Sequence, residues 1–173
     1  MRTIHRVFFV WEFDKEERWL NEMAAKGQLL TDVGFCRYVF EDGEPGVYQY
    51  RLELLEDDPS SREGLTYIRF LEETGAEPVG TLLRWVYFRK RTEDGPFDLF
   101  SDFDSRIAHL RRMLTLLTPI LLLMVCNSVL QFHNLGSWVG IVTGAVGLLV
   151  AYGIVRILLK MRRLQKERAI SER

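Results

Sequence analysis

Two pairs of neighbouring carboxylates are the groups in this sequence that most resemble an acid and base pair. Glu16 is followed by Glu17, and Glu72 by Glu73, each within a stretch of helical spacing. General acid–base catalysis needs two groups that converge on one substrate, and adjacent positions on a helix do not face each other. We therefore expect both pairs to lie on solvated helix faces, and we predict no catalytic residues.

The spacing of the other polar residues does not indicate a metal or phosphate site. Asp98, Asp102 and Asp104 lie close together, but the glycine and closing glutamate of a calcium loop are missing. There is no glycine-rich phosphate loop or nucleophile elbow. The two cysteines, Cys36 and Cys126, lack the spacing of a disulfide framework or a zinc site. We expect both to be buried and to pack as small hydrophobic side chains. We predict a protein that is not an enzyme, with no metal and no cofactor.

Aromatic and arginine side chains alternate in the stretches that are typical of strands. Tryptophan, tyrosine and arginine dominate binding hot spots, so these side chains could stack a ligand or grip a peptide. They could equally form the core and cross-strand pairs of a sheet. The candidate partner-binding residues are Arg37, Arg51, Arg84, Trp85 and Tyr87.

Helical and extended patterns alternate in the roughly 110 residues before the apolar C-terminal part, enough for one soluble domain. Apolar residues at helical spacing predict one helix that ends near Gly27 and a second that ends near Gly75. The predicted strands are Val7–Phe13, Leu29–Val33, Phe35–Glu41, Val47–Leu54, Glu77–Leu82 and Leu83–Lys90.

The order strand, helix, strand, strand occurs twice, in residues 6–41 and 47–90. Such a duplication predicts an α+β fold of the ferredoxin-like general kind, with a mostly antiparallel sheet and two helices on one face. The other sheet face would then be open, and it is the candidate site for a partner or a small ligand.

Two apolar segments predict a transmembrane hairpin. Residues 113–132 and 138–159 are each long enough to cross a bilayer and carry no ionisable side chain until Arg156. Arginine and lysine lie before the first segment and after the second, whereas the turn between them has neither. The positive-inside rule therefore predicts a multi-pass membrane protein with both termini cytoplasmic.

The predicted order of segments follows from this hairpin. It comprises a cytoplasmic α+β domain at 1–93, a juxtamembrane connector at 94–112, the two membrane helices, and a basic cytoplasmic tail at 160–173.

Small residues recur every four positions along the second membrane segment, at Gly136, Gly140 and Gly144. Such spacing lets helix backbones approach closely, so these glycines are the candidate helix-packing residues, either within the hairpin or between protomers. Membrane helices are also generally rich in glycine. The alternative interpretation is therefore that these glycines have no role in packing.

The charge balance restricts the class of partner. The formal net charge is −1, and the basic residues cluster beside the apolar segments, where anionic lipid already accounts for them. We expect the lipid bilayer and a protein partner or a second copy as partners, and no direct binding of nucleic acid.

Several multi-residue motifs of the N-terminal part resemble one known family. They are WEFDKE at 11–16, WLNEMAAKG at 19–27, GFCRYVF at 34–40, RWVYFRK at 84–90 and DGPFDLFSD at 94–102. With these motifs the chain resembles the domain-of-unknown-function family 2812 (DUF2812) from about residue 5 to residue 112. One departure is Gln28, where the family often carries an aromatic residue, and this affects local packing alone.

The resemblance implies a membrane-associated bacterial protein, typical of Gram-positive lineages and sometimes labelled a transcriptional regulator. With the predicted hairpin, it implies a multi-pass protein of the bacterial inner (cell) membrane. It brings no catalytic residues, and the sequence shows no helix-turn-helix that would support direct DNA binding. Our leading hypothesis is a membrane-anchored, non-enzymatic interaction or sensory module. The alternative is an accessory subunit of a transporter or membrane enzyme, assembled through the hairpin.

Overall fold

The computed structural model describes residues 1–97, 103–135 and 138–171. The chain divides into two compact units, Met1–Ser101 and Asp102–Arg173. Three residues that the sequence singles out, Gly136, Asp98 and Asp102, lie outside the described residues.

The first unit consists of two copies of one supersecondary motif. The first copy contains β1 (Arg2–His5), α1 (Phe13–Ala25), β2 (Gln28–Gly34) and β3 (Arg37–Asp42). The second copy contains β4 (Tyr48–Leu54), α2 (Arg62–Glu73), β5 (Glu77–Leu82) and β6 (Trp85–Arg91). Each copy forms an antiparallel three-stranded sheet, with the order β1-β3-β2 in the first sheet and β4-β6-β5 in the second.

The two copies also agree in detail, which supports an internal duplication. α1 and α2 are each followed by a glycine with positive φ, Gly27 at +78° and Gly75 at +87°. This conformation favours glycine, because it has no Cβ. The strand that follows the helix in each copy carries a register shift, between Leu30 and Asp32 in β2 and between Pro78 and Gly80 in β5. The predicted α+β fold with a duplicated motif is confirmed.

The first strand lies earlier in the chain than its pattern suggests. β1 is Arg2–His5 and pairs with β3, whereas residues 10–12 form a 3-10 turn that leads directly into α1. The prediction of a strand at Val7–Phe13 is therefore wrong. The aromatic residues of this segment do not alternate between two faces of a sheet. Phe8 packs on the core, and Phe13 is the first residue of α1.

Helix α1 contributes to a core that both sheets share. Its buried residues Trp19, Leu20 and Ala24 share one cluster with buried residues of both sheets. From the first sheet these are Leu30, Val33, Tyr38 and Phe40, and from the second sheet Tyr50, Leu52 and Tyr87.

Helix α2 lies on the opposite face of the second sheet. Leu71 of α2 packs with Val86 and Phe88 in a separate cluster. Along β6, successive side chains point to opposite faces, so Tyr87 contacts the cluster of α1 and its two neighbours contact α2. The expectation that both helices cover one face is wrong, because Tyr87 is buried in the cluster of α1 whereas Val86 and Phe88 are buried in the cluster of α2.

Polar side chains of α1 cover the free edge of β4. The Asn21 side chain donates to the Tyr50 carbonyl oxygen at 3.0 Å and accepts from the Tyr50 amide at 2.8 Å. Glu17 accepts from the Leu52 amide at 3.1 Å and pairs with Arg51 at 3.2 Å. An edge strand otherwise presents unpaired backbone groups, and these two side chains satisfy three of them.

The expectation of solvated carboxylate pairs is thus wrong for one pair and correct for the other. Glu16 is buried and Glu17 pairs with β4, whereas Glu72 and Glu73 are exposed on α2. The cysteines also differ from expectation, since Cys36 is half-buried and Cys126 is exposed.

The second unit contains two helices long and apolar enough to cross a membrane, α3 (Phe103–Leu135) and α4 (Trp138–Ser171). In their most apolar stretches only 11% and 17% of the residues are buried. A core helix of a soluble protein would bury most of such a stretch, whereas a membrane helix exposes apolar side chains to lipid. Both helices extend beyond the predicted apolar segments, so the basic tail continues α4 as far as Ser171.

Small residues lie where α4 packs against α3. The Ser128 hydroxyl donates to the Gly140 carbonyl oxygen at 2.9 Å, and a Cβ added to Gly144 would lie 3.0 Å from Ser128 Oγ. A Cβ added to Gly147 would lie 3.7 Å from the Cβ of Met124. Gly140 and Gly144 therefore face the other helix of the same hairpin.

We expect Gly144→Leu to weaken the packing of α4 against α3, because no side chain fits beside Ser128 without a shift. The measurement is the yield of a disulfide between Met124→Cys and Gly147→Cys in the full-length protein. The 3.7 Å separation of their Cβ atoms suits a disulfide. We expect high yield in the parent and severalfold lower yield with the leucine.

The background for this measurement carries serine at Cys36 and Cys126, so that only the introduced thiols can react. Ala145→Leu is the matched control, because Ala145 is an exposed neighbour on the same helix. It should leave the yield unchanged. Equal yields with leucine at positions 144 and 145 would contradict the packing of Gly144 against α3.

Candidate functional site

A cavity of about 180 Å³ lies beside the first turns of α1 in the first unit. Its lining comes from the segment that precedes α1, from α1 itself, and from the ends of the β2–β3 and β5–β6 hairpins. Both copies of the duplicated motif therefore contribute to one site.

A buried carboxylate and two tyrosines form the polar part of this lining. The hydroxyls of Tyr38 and Tyr87 each donate to Glu16 Oε1 at 2.6 Å. The exposed fractions are 8% for Glu16, 4% for Tyr38 and 2% for Tyr87. Glu16 belongs to α1, Tyr38 to β3 and Tyr87 to β6, so this cluster, the Glu16 cluster, joins the helix to both sheets.

Burial controls the protonation of the Glu16 cluster. It raises the pKa of the Glu16 carboxyl, and the hydrogen bonds from Tyr38 and Tyr87 lower that pKa only in part. The pKa of each tyrosine is raised far above its usual value, first by burial and then by the nearby carboxylate. The phenols therefore stay protonated and act as hydrogen-bond donors.

Aromatic rings form much of the remaining wall. The rings of Phe13 and Trp85 lie 6.0 Å apart, and Phe8 lies 5.6 Å from Trp19. The guanidinium of Arg6 lies 4.9 Å from the centre of the Phe8 ring and 5.0 Å from that of Trp19. These distances are typical of cation–π contacts, so the aromatic faces of this region already hold one cation.

Two hairpin turns with unusual backbone geometry line the cavity. Among the residues that the structure describes, Cys36 (φ +53°) and Leu83 (φ +57°) are the non-glycine residues with positive φ, and both line this cavity. That conformation costs roughly 1–3 kcal/mol and is concentrated at functional sites. Phe35, next to Cys36, and Leu83 are each 86% exposed, which makes this part of the lining apolar and accessible.

Two of the predicted partner-binding residues belong to this cavity. Tyr87 carries one hydroxyl of the Glu16 cluster, and Trp85 supplies an aromatic wall. Their signal in the sequence was the aromatic run of β6, although the cavity lies on the face that α1 covers and not on an open sheet face.

The three predicted arginines have other contacts. Arg84 donates to the Leu55 carbonyl oxygen at 2.6 Å and so ties the chain after β4 to the β5–β6 turn. Arg37 forms an exposed ion pair with Asp32 at 2.6 Å. Arg51 lies opposite Phe88 in the β4–β6 ladder, on the face away from Tyr87.

Sequence reasoning missed Glu16, Arg6 and Phe13 as members of the site. A signal for Glu16 was present, because it shares a helix face with Phe13, three positions earlier, and with Leu20, four positions later. An acidic residue inside an apolar stripe indicates a buried carboxylate. No comparable pattern marks Arg6.

We expect Glu16→Gln to raise the stability of the full-length protein, relative to the wild type, at pH values above the raised pKa of Glu16. Burial raises the pKa of Glu16, so the native state holds its proton more tightly than the unfolded state. The stability that this proton supplies is present at low pH and is lost as pH rises through the raised pKa. Glutamine keeps an acceptor for both hydroxyls and carries no charge.

The measurement is thermal unfolding in detergent between pH 4 and pH 9, followed by tryptophan fluorescence. Glu22→Gln is the matched control, because Glu22 is exposed on the same helix. Its pH profile should follow the wild type. If the stability of Glu16→Gln changed with pH in the same way as that of the wild type, the result would contradict the burial of an ionisable group at position 16.

Comparison with known proteins places the chain in a family without adding a ligand. The chain matches no curated protein and no solved structure. The family model described as "Protein of unknown function (DUF2812)" matches residues 12–122, which include all three members of the Glu16 cluster. That match covers more than half of the chain and confirms the resemblance seen in the sequence motifs. The chain belongs to the DUF2812 family.

Proposed function

We propose that this protein is a membrane-anchored, non-enzymatic sensory or regulatory module whose first unit binds a small ligand in the cavity at Glu16. The observation that carries the proposal is a buried carboxylate whose hydrogen bonds leave one oxygen open. Both tyrosines donate to Oε1, and Oε2 accepts no hydrogen bond from the residues that the structure describes.

Folding alone gives little reason for a carboxylate at this position. An uncharged acceptor such as glutamine would satisfy both tyrosine hydroxyls without the cost of burying a charge. Residues that lower stability are typical of binding and catalytic sites. The positive φ of Cys36 and Leu83 adds a second local cost at the same cavity.

The protonation of the cluster supports binding rather than turnover. The raised pKa values of Tyr38 and Tyr87 keep both phenols protonated, so they serve as donors and not as bases or nucleophiles. They orient the Glu16 carboxylate and hold part of its charge. The aromatic walls supply area for contact with a ligand.

Membrane anchoring is supported by α3 and α4. Both helices are long and apolar enough to span a bilayer, and arginine and lysine flank the apolar parts on the sides away from the turn. By the positive-inside rule we propose a multi-pass protein of the bacterial cell membrane, with the first unit and both termini in the cytoplasm.

The alternative of an accessory subunit has weaker support. Gly140 and Gly144 already pack against α3 of the same chain, so this face is occupied within the hairpin. A partner in the membrane would have to use the exposed apolar side chains of either helix, such as Leu123, Ile141 and Leu148.

Native mass spectrometry of full-length protein purified from bacterial membranes tests the proposal. We expect a small-molecule adduct on the wild type, and at least a tenfold lower occupancy in Trp85→Ala, which removes a cavity wall, and in Val10→Phe, which narrows the cavity. Phe70→Ala, which removes an aromatic residue that is 57% exposed on α2, is the control and should keep the adduct.

Thermal unfolding of each variant shows whether it is folded, and two different cavity variants keep the test informative if one of them fails to fold. The same adduct profile in the wild type and in both cavity variants would overturn the proposal. Absence of any adduct on the wild type would also count against it.

A further inference from the structure

We infer that the ligand of this cavity is a small organic cation, a protonated amine or a quaternary ammonium group, with Glu16 as its counter-charge. The inference rests on the proposed function, because it names the ligand class of the same cavity. It stands on three features of the lining, which are the carboxylate, the aromatic walls and the volume.

The carboxylate favours a cation over a neutral ligand. Glu16 is only 8% exposed, so water screens its charge poorly, and a charge of opposite sign is attracted more strongly there than at the surface. Tyr38 and Tyr87 occupy Oε1. Oε2 can therefore accept a charge-assisted hydrogen bond from a protonated amine. A quaternary ammonium group has no N–H to donate, and the carboxylate attracts it through its charge alone.

The aromatic walls favour the same charge. Phe13 and Trp85 lie 6.0 Å apart in the lining, and the faces of aromatic rings carry negative potential that attracts ammonium and guanidinium groups. Arg6 demonstrates this preference within the chain, because its guanidinium lies over Phe8 and Trp19. A carboxylate surrounded by aromatic rings is suited to a cation with apolar substituents.

The volume limits the size of the ligand. The cavity encloses about 180 Å³, below the roughly 300–1,000 Å³ of pockets that hold drug-sized molecules. A ligand of the size of choline fits this volume, which is too small to hold a whole peptide or nucleotide.

Arg6 supplies the competing hypothesis. Its guanidinium lies at the same cavity, so a small anion could pair with it instead. Probes of one shape and different charge separate these alternatives. Choline is the cation, 3,3-dimethyl-1-butanol is its neutral isostere, and 3,3-dimethylbutanoate is the anion.

Binding of the three probes to full-length protein in nanodiscs can be followed by intrinsic tryptophan fluorescence and confirmed by calorimetry. We expect choline to bind at least tenfold more tightly than the neutral isostere, and the anion to show no saturable binding. Glu16→Gln should weaken choline binding at least tenfold, whereas the exposed control Glu22→Gln should leave it unchanged.

The affinity for choline should also fall as pH is lowered through the raised pKa of Glu16, because a protonated carboxyl has no charge to offer. The ionisable groups around it are Tyr38 of β3, Tyr87 of β6, Arg6 before α1, and Cys36 in the β2–β3 turn. Burial raises the pKa of Tyr38 and Tyr87, so neither phenol changes charge in the acidic range, and the loss reports on Glu16.

Four results would overturn the inference. Equal binding of choline and its neutral isostere would remove the role of charge, and tighter binding of the anion would assign recognition to Arg6. Failure of all three probes to bind a protein that still carries a native adduct would show that the ligand class is wrong while the cavity remains a binding site. Failure of the probes together with absence of the adduct would reject the proposed function as well.

Discussion

The burial of the Glu16 carboxylate between two tyrosine hydroxyls is the interaction on which the first unit depends. It joins α1 to β3 of the first copy and to β6 of the second, with two hydrogen bonds of 2.6 Å. Because a buried carboxylate is costly without partners, the position of α1 and the alignment of the two sheets are coupled through this cluster. Oε2 accepts no hydrogen bond from the described residues, and Glu16 lines a cavity.

The polar side of α1 reinforces this arrangement one turn further along. Asn21 bonds both backbone groups of Tyr50, and Glu17 bonds the Leu52 amide, so α1 acts as a substitute for a neighbouring strand at the edge of β4. The helix therefore has apolar contacts on one side and backbone contacts on the other. This explains why a helix that looks amphipathic is central to the fold, although five of its thirteen residues remain exposed.

Much of the fold could be predicted from the sequence, because its periodicities are local. The strict alternation in Tyr48–Leu54 identified β4, and the apolar run after residue 112 identified the hairpin. The Val7–Phe13 prediction failed because aromatic residues there pack in three dimensions without alternating. Glu16 was missed because its partners lie 22 and 71 residues away, in strands of two different sheets. The sequence of α1 does not show which distant strands the helix packs against. Its one local signal is a carboxylate within an apolar stripe.

The most direct test of this account is the titration of the Glu16 carboxyl itself, by infrared difference spectroscopy of full-length wild type against Glu16→Gln. The account predicts a carboxyl band that is absent from the variant and that protonates at a pH clearly above that of an ordinary glutamate, since burial raises its pKa. A band that titrates together with the exposed carboxylates would contradict it, because Glu16 would then be solvated and the cavity would have no buried charge.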